Sequence, residues 1–179
     1  MDTIQHPLPG GKVLELRQAQ PQDAAAVLDF VHAVCAETDF LTFGPGEFEM
    51  TVEQEAQFLS ACLEQEGSIY VLASIDGQIV GTMNFAAGRR PRTRHCGSFG
   101  ISVLRKAWGQ GVGTRLLEVL LDWARAGGVI TKINLSVRTD NTRAIKLYER
   151  KGFVLEGTTS REMCIDGQYF DTHWMGLEI

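Results

Sequence analysis

Hydrophobic positions along this chain follow two different spacings, and each change of spacing marks a new element. A short β-rich run at residues 13–17 is the first expected strand. Pro21, Gln22 and Asp23 then open a stretch in which Ala26, Val27, Phe30, Val31 and Val34 recur at helical spacing, which predicts an amphipathic helix over residues 22–36. Thr51 and Gln54 stand at the spacing of a capping box ahead of Ala56, Phe58, Leu59 and Leu63, so a second helix should end before Gly67. Residues 69–74 and 78–85 are β-rich and are separated by Asp76-Gly77, a pair that favours a hairpin. Another strand is expected at residues 98–104. Val112, Leu116, Leu117, Val119, Leu120 and Trp123 mark a strong helix that stops at Gly127-Gly128. A strand at 132–137, a helix at 142–151 and two strands around Asp166-Gly167 complete the order. Strands outnumber helices, and strand-helix-strand units lie in the second half, so the fold class is α/β with a mixed sheet.

The chain has 179 residues, 44% of them hydrophobic, which is the size and composition of one domain spanning residues 1–179 with a real core. No apolar run is long enough to span a membrane, and the first residues lack the basic and apolar regions of a signal peptide, so a cytoplasmic protein is expected. The four cysteines (Cys35, Cys62, Cys96, Cys164) are scattered with no CxxC pair, so neither a zinc site nor a redox motif is expected. A net charge of −5 argues against nucleic acid as a partner and suits a cationic one. Arg89, Arg90, Arg92 and Arg94 crowd one connection, which reads as a solvated loop or as a rim that attracts phosphate.

Candidate chemistry begins at Gly109-Gln110-Gly111-Val112-Gly113-Thr114. A strand ending near Leu104 and a helix beginning near Gly111 place the intervening amides at a helix N-terminus, where unpaired N–H groups and the helix dipole favour an anion. Glycines at alternate positions remove the β-carbons that would hold a pyrophosphate away from those amides. A Walker A loop would need Gly-Lys-Ser/Thr, but Gly113 is followed by Thr114-Arg115. A dinucleotide fingerprint would need glycine at 114, where threonine stands. The remaining GxGxG pattern resembles motif A of the GNAT acetyltransferase superfamily, which binds the pyrophosphate of acetyl-CoA on such a turn. Gly111 and Gly113 match that motif, while Trp108 stands where the family has Gln or Arg.

A second segment, Asn141-Thr142-Arg143-Ala144-Ile145-Lys146-Leu147-Tyr148 followed by Lys151-Gly152-Phe153, resembles the family's NxxAxxLYxxxGF pattern. It also makes physical sense alone: Asp140 or Asn141 can cap the helix, and Gly152 can end it in a left-handed turn. The resemblance implies a central, mostly antiparallel sheet split at a parallel pair and flanked by about four helices. It further implies that the backbone of Ile101 and Val103 pairs with the pantetheine arm, that residues 109–114 take the pyrophosphate, and that Asn141 contacts the cofactor. Acetyl-CoA is the implied co-substrate, with no metal, and a homodimer is implied as well.

Acetyl transfer to an amine needs a neutral amine and a proton for the departing thiolate. An amine with a pKa near ~10.4 must lose its proton to a base or a water chain, and a tyrosine hydroxyl can protonate a thiolate whose conjugate acid has a pKa near ~8.5. By resemblance Tyr148 is the general acid. Many relatives carry a basic glutamate on the strand before motif A, whereas this chain offers Ser98 and, a few residues earlier, His95. Glu37 is the leading alternative, with Asp39 beside it, because the family builds its acceptor pocket partly from the connection after the first helix. Glu37, Asp39, Glu47 and Glu49 would draw a cationic amine to that side. The C-terminal tail is similar to polyamine, amino-acid and ribosomal-protein N-terminal acetyltransferases. A non-catalytic acyl-CoA sensor of the same fold stays open as a second class, distinguished by releasing no thiol.

Overall fold

The structure, a computed structural model, describes residues 1–179. Its elements are β1 (Ile4–Pro7), β2 (Val13–Gln18), α1 (Ala24–Cys35), α2 (Val52–Glu64), β3 (Ser68–Ile75), β4 (Gln78–Ala87), β5 (Cys96–Val103), α3 (Val112–Gly127), β6 (Lys132–Arg138), α4 (Thr142–Arg150), β7 (Val154–Ile165) and β8 (Gln168–Glu178). The strands form one sheet in the order β1-β2-β3-β4-β5-β6-β8-β7. Every neighbouring pair is antiparallel except β5 and β6. No helix is long and apolar enough to cross a membrane.

Local chemistry explains most boundaries. Thr51 and Gln54 form the reciprocal capping box of α2, with bonds of 3.3 and 2.9 Å. Asp76 and Gly77 (φ 52° and 76°) make the mirror-image turn that joins β3 to β4, and Asp166 and Gly167 (φ 49° and 79°) do the same between β7 and β8. Gly152 (φ 92°) ends α4 as expected. One expectation is corrected: residues 13–17 are not the first strand, because β1 pairs ahead of them from Ile4 to Leu16 through Pro7 to Val13. A four-residue run, IQHP, has no alternation that sets it apart, and it is ordered by the β2 edge it covers.

The sheet divides the interior. On one face α3 buries Val112, Leu116, Leu117 and Leu120 against Val71, Met83 and Phe85. On the other, α1 and α2 bury Ala24, Val27 and Leu59 against Tyr70 and Leu72. The helices of the second face cover β3 and β4 and leave the β5–β6 region open, and that asymmetry positions the site.

Candidate active site

The parallel pairing of β5 with β6 is confined to Cys96–Lys132, Gly97–Ile133 and Ser98–Asn134. Beyond Ser98 the two strands separate, and β5 runs on to Val103 with β4 alone beside it. The Leu104 N–H donates to Val80 O at 2.9 Å, so the alternation of an antiparallel ladder turns the backbone groups of Ser102 and Leu104 toward β4. Those of Ile101 and Val103 therefore face the open side. Trp108 shows that this edge takes partners: its indole Nε1–H donates to Val103 O at 2.7 Å. The same ring carries the guanidinium of Arg143 at 4.6 Å and that of Arg105 at 5.6 Å. Position 108, where the sequence departs from the family motif, is thus a fastening between the glycine turn, β5 and α4.

The turn itself has the backbone that the sequence implied. Gly109 (φ 78°) and Gly111 (φ 83°) are left-handed, and a β-carbon on either would meet nothing within 4 Å, so both border open space. The first bond into α3 is Arg115 N–H to Gly111 O at 3.0 Å, which leaves the amides of Val112, Gly113 and Thr114 without helical acceptors. Gly113 packs close to Leu147 of α4, its would-be β-carbon lying 3.5 Å from Leu147 Cδ2. Gln110 donates its side-chain amide to Lys106 O at 3.0 Å and so braces the turn. A free strand edge that leads into three unpaired amides fits a ligand with an amide-bearing arm and a pyrophosphate, as acetyl-CoA has.

Tyr148 stands at the split. Its ring is 8% exposed, with the ring of Phe99 edge-on at 5.7 Å and that of Phe153 at 6.0 Å. Burial pushes the hydroxyl up to about 12, so it stays protonated at neutral pH. Asn141 caps α4, its Oδ1 accepting from Ala144 N at 3.2 Å, which leaves its side-chain N–H groups for a ligand.

Across the sheet from Tyr148 lies a polar face. Register puts Asn84 opposite Gly100, Thr82 opposite Ser102, and Asn134 opposite Ser98, all on the side where Tyr70 meets α1 and α2. Ser136, Arg138 and Thr172 extend it onto β6 and β8. The connection between α1 and α2 closes over one end, held there by two arginines. The Arg105 backbone N–H donates to Glu37 Oε2 at 2.6 Å, and its guanidinium donates to Glu37 O. Arg138, whose side chain is 3% exposed, donates to both oxygens of Asp140 (2.9 and 2.6 Å) and to Asp39 O (3.0 Å), between the rings of Phe40 (4.6 Å) and Phe170 (3.8 Å). Sequence reasoning missed Arg138, since only the fold shows that β6 delivers it between two aromatic residues distant in the chain. His95 lies just before β5, at the closed end of the split, where its carbonyl accepts from the Thr131 and Lys132 amides, and it is roughly 20 Å along the chain direction from Ile101.

Arg138→Met should remove about 2 kcal/mol of stability, a fall in Tm of roughly 4–8 °C by thermal denaturation. The Arg138 bond holds the Asp140 carboxyl below its usual range. That stabilisation is present above the ordinary carboxylate pKa and is lost as pH falls through the depressed value, so the deficit of the variant should shrink in acid.

The sequence model of the family described as "Acetyltransferase (GNAT) family" matches residues 33–153. The L-amino acid N-acetyltransferase AaaT of Escherichia coli (strain K12) is 32% identical over 112 residues, 63% of this chain and 69% of that protein. The spermidine N(1)-acetyltransferase of the same strain is 24% identical over 163 residues, 90% of this chain and 84% of that one. A GNAT-family acetyltransferase from Streptococcus pneumoniae superposes with a TM-score of 0.90 at 36% identity, over 93% of this chain and 99% of the other. The fold is shared as well with yncA of Salmonella typhimurium, solved with its cofactor acetyl-CoA, at a TM-score of 0.80 and 20% identity over 92% and 93% of the two chains. With the split sheet, the glycine turn and these likenesses in agreement, the chain belongs to the GNAT family and is an N-acetyltransferase whose co-substrate is acetyl-CoA.

Proposed function

We propose that this enzyme acetylates the primary amine of an amino-acid-like acceptor or a peptide N-terminus, with Tyr148 as general acid. The observation that carries the reading is the free edge of β5, which ends in the glycine turn and passes Tyr148 at the split. The backbone groups of Ile101 and the N–H of Val103, whose carbonyl already accepts from Trp108, hold the pantetheine arm in extended pairing, and the amides of residues 112–114 receive the pyrophosphate at the start of α3. Acetyl-CoA supplies an activated thioester. Gly109, Gln110 and Gly111 shape the turn, and Asn141 binds the cofactor from the N-terminus of α4.

The amine arrives from the polar face, opposite Tyr148, and its nitrogen attacks the thioester carbonyl carbon. Its proton leaves toward Glu37, directly or through water. One oxygen of that carboxylate is fixed by Arg105 and the other is open. The Tyr148 hydroxyl donates to sulfur as the carbon–sulfur bond breaks, and the proton taken from the amine restores the tyrosine through solvent. An amino-acid-like acceptor is favoured over a polyamine because three of the four acidic residues counted in the sequence are already engaged: Glu37 with Arg105, Asp39 with Arg138, and Glu47 with the Gly44 amide at 2.7 Å.

The test is thiol release from acetyl-CoA with L-methionine, an alanyl tetrapeptide or spermidine as acceptor. Release with either of the first two, faster than with spermidine, is expected. Tight acetyl-CoA binding with no release for any amine would instead identify a non-catalytic sensor.

A further inference from the structure

Gly100 has no backbone reason to be glycine, because its φ is not positive. Its neighbour across the ladder supplies the reason. A β-carbon there would lie 3.2 Å from Asn84 Oδ1 and close to nothing else, so the amide oxygen of Asn84 reaches over the bare β5 backbone at the point where the sheet opens. Asn84 is exposed, and no side-chain hydrogen bond draws it elsewhere. On the far side of the split, Asn134 donates its Nδ2 to Cys96 Sγ at 3.1 Å, and that bond turns its oxygen away from Cys96. Asn134 Oδ1 is buried and has no partner, a state that costs free energy unless a ligand fills it. The two asparagines share the polar face: Asn134 stands on β6 at one border of the opening, and Asn84 reaches from β4 over Gly100 of β5 at the other.

We infer that Asn84 and Asn134 are acceptor-binding residues, their amide oxygens taking N–H bonds from the incoming amine on the two sides of the split. The inference rests on the acetyl-transfer reading and deepens it by naming what holds the nucleophile. An amine about to attack has its lone pair aimed at the thioester and its N–H bonds pointing away, and two oxygens on the acceptor face meet that geometry. An acceptor without N–H groups, such as an alcohol presenting a single O–H, leaves one oxygen unpaired and is selected against.

The experiment measures KM and kcat for the best of the three acceptors, and acetyl-CoA Kd by calorimetry, in Asn84→Ala, Asn84→Asp and Gly100→Ala. Asn84→Ala should raise the amine KM about tenfold with acetyl-CoA Kd unchanged. Asn84→Asp keeps an acceptor oxygen and should restore KM to within about twofold of wild type. Gly100→Ala, whose new methyl meets only Asn84 Oδ1, should reproduce the KM rise in a normally folded protein. Wild-type turnover with an unchanged KM in Asn84→Ala, or no rescue by aspartate, overturns the inference alone. No turnover by wild type with any amine overturns the acetyl-transfer reading along with it.

Discussion

Replacing Tyr148 with Phe is expected to lower turnover about a hundredfold or more, while the affinity for acetyl-CoA stays within about twofold. The ring packs against Phe99 and Phe153, and phenylalanine keeps both contacts, so the loss isolates the hydroxyl. Burial raises the folded pKa to about 12 from an ordinary value near 10, because the phenolate would be desolvated. The raised value sets the sign of two pH effects. The proton is in place throughout the neutral range, so no alkaline decline in turnover should arise from Tyr148 below about pH 10. The stability contributed by keeping the group neutral is full below the unfolded pKa and is lost as pH rises through about 12. Unchanged turnover in Tyr148→Phe would remove the tyrosine from the chemistry.

The second large effect is expected at the glycine turn. Gly111→Glu places a carboxylate in the open space beside the amides of residues 112–114 and should weaken acetyl-CoA binding at least a hundredfold by calorimetry, a loss of about 2.7 kcal/mol. Gly113→Glu should act the same way through charge. Strain alone cannot be the cause if a control is made at the far end of α3. Gly128 is also left-handed (φ 64°) and also faces open space, so Gly128→Glu carries a comparable backbone penalty. It should cost similar stability and leave acetyl-CoA affinity unchanged. Equal losses of affinity at both ends would mean that the turn acts only through folding.

Much of this arrangement was legible in the chain because its signals are local. The capping box at Thr51, the Asp-Gly turns and the apolar stripe of α3 each depend on residues within a few positions of one another, and all appear where the spacing put them. Gly109 and Gly111 were readable for the same reason, since a left-handed turn before a helix is written in consecutive residues. Long-range pairings were not. β1 exists because β2 offers it an edge, and Arg138 matters because Phe40 and Phe170 close on it from positions far away in the chain. The carboxylates of Glu37 and Asp39 read as free charge in the sequence, yet the fold uses both to fasten the connection between α1 and α2. Asn84 and Asn134 gave no motif at all. Their meaning comes from register across β4, β5 and β6, which no single segment encodes.

The central claim is that the open edge of β5 and the first amides of α3 form one continuous binding surface for acetyl-CoA. Amide hydrogen exchange, resolved by NMR with and without acetyl-CoA, tests it residue by residue. The amides of Ile101, Val103, Val112, Gly113 and Thr114 should become protected on binding, while those of Ser102 and Leu104, already directed at β4, should change little. Binding of acetyl-CoA with no protection at Ile101, Val103 and residues 112–114 would contradict the account.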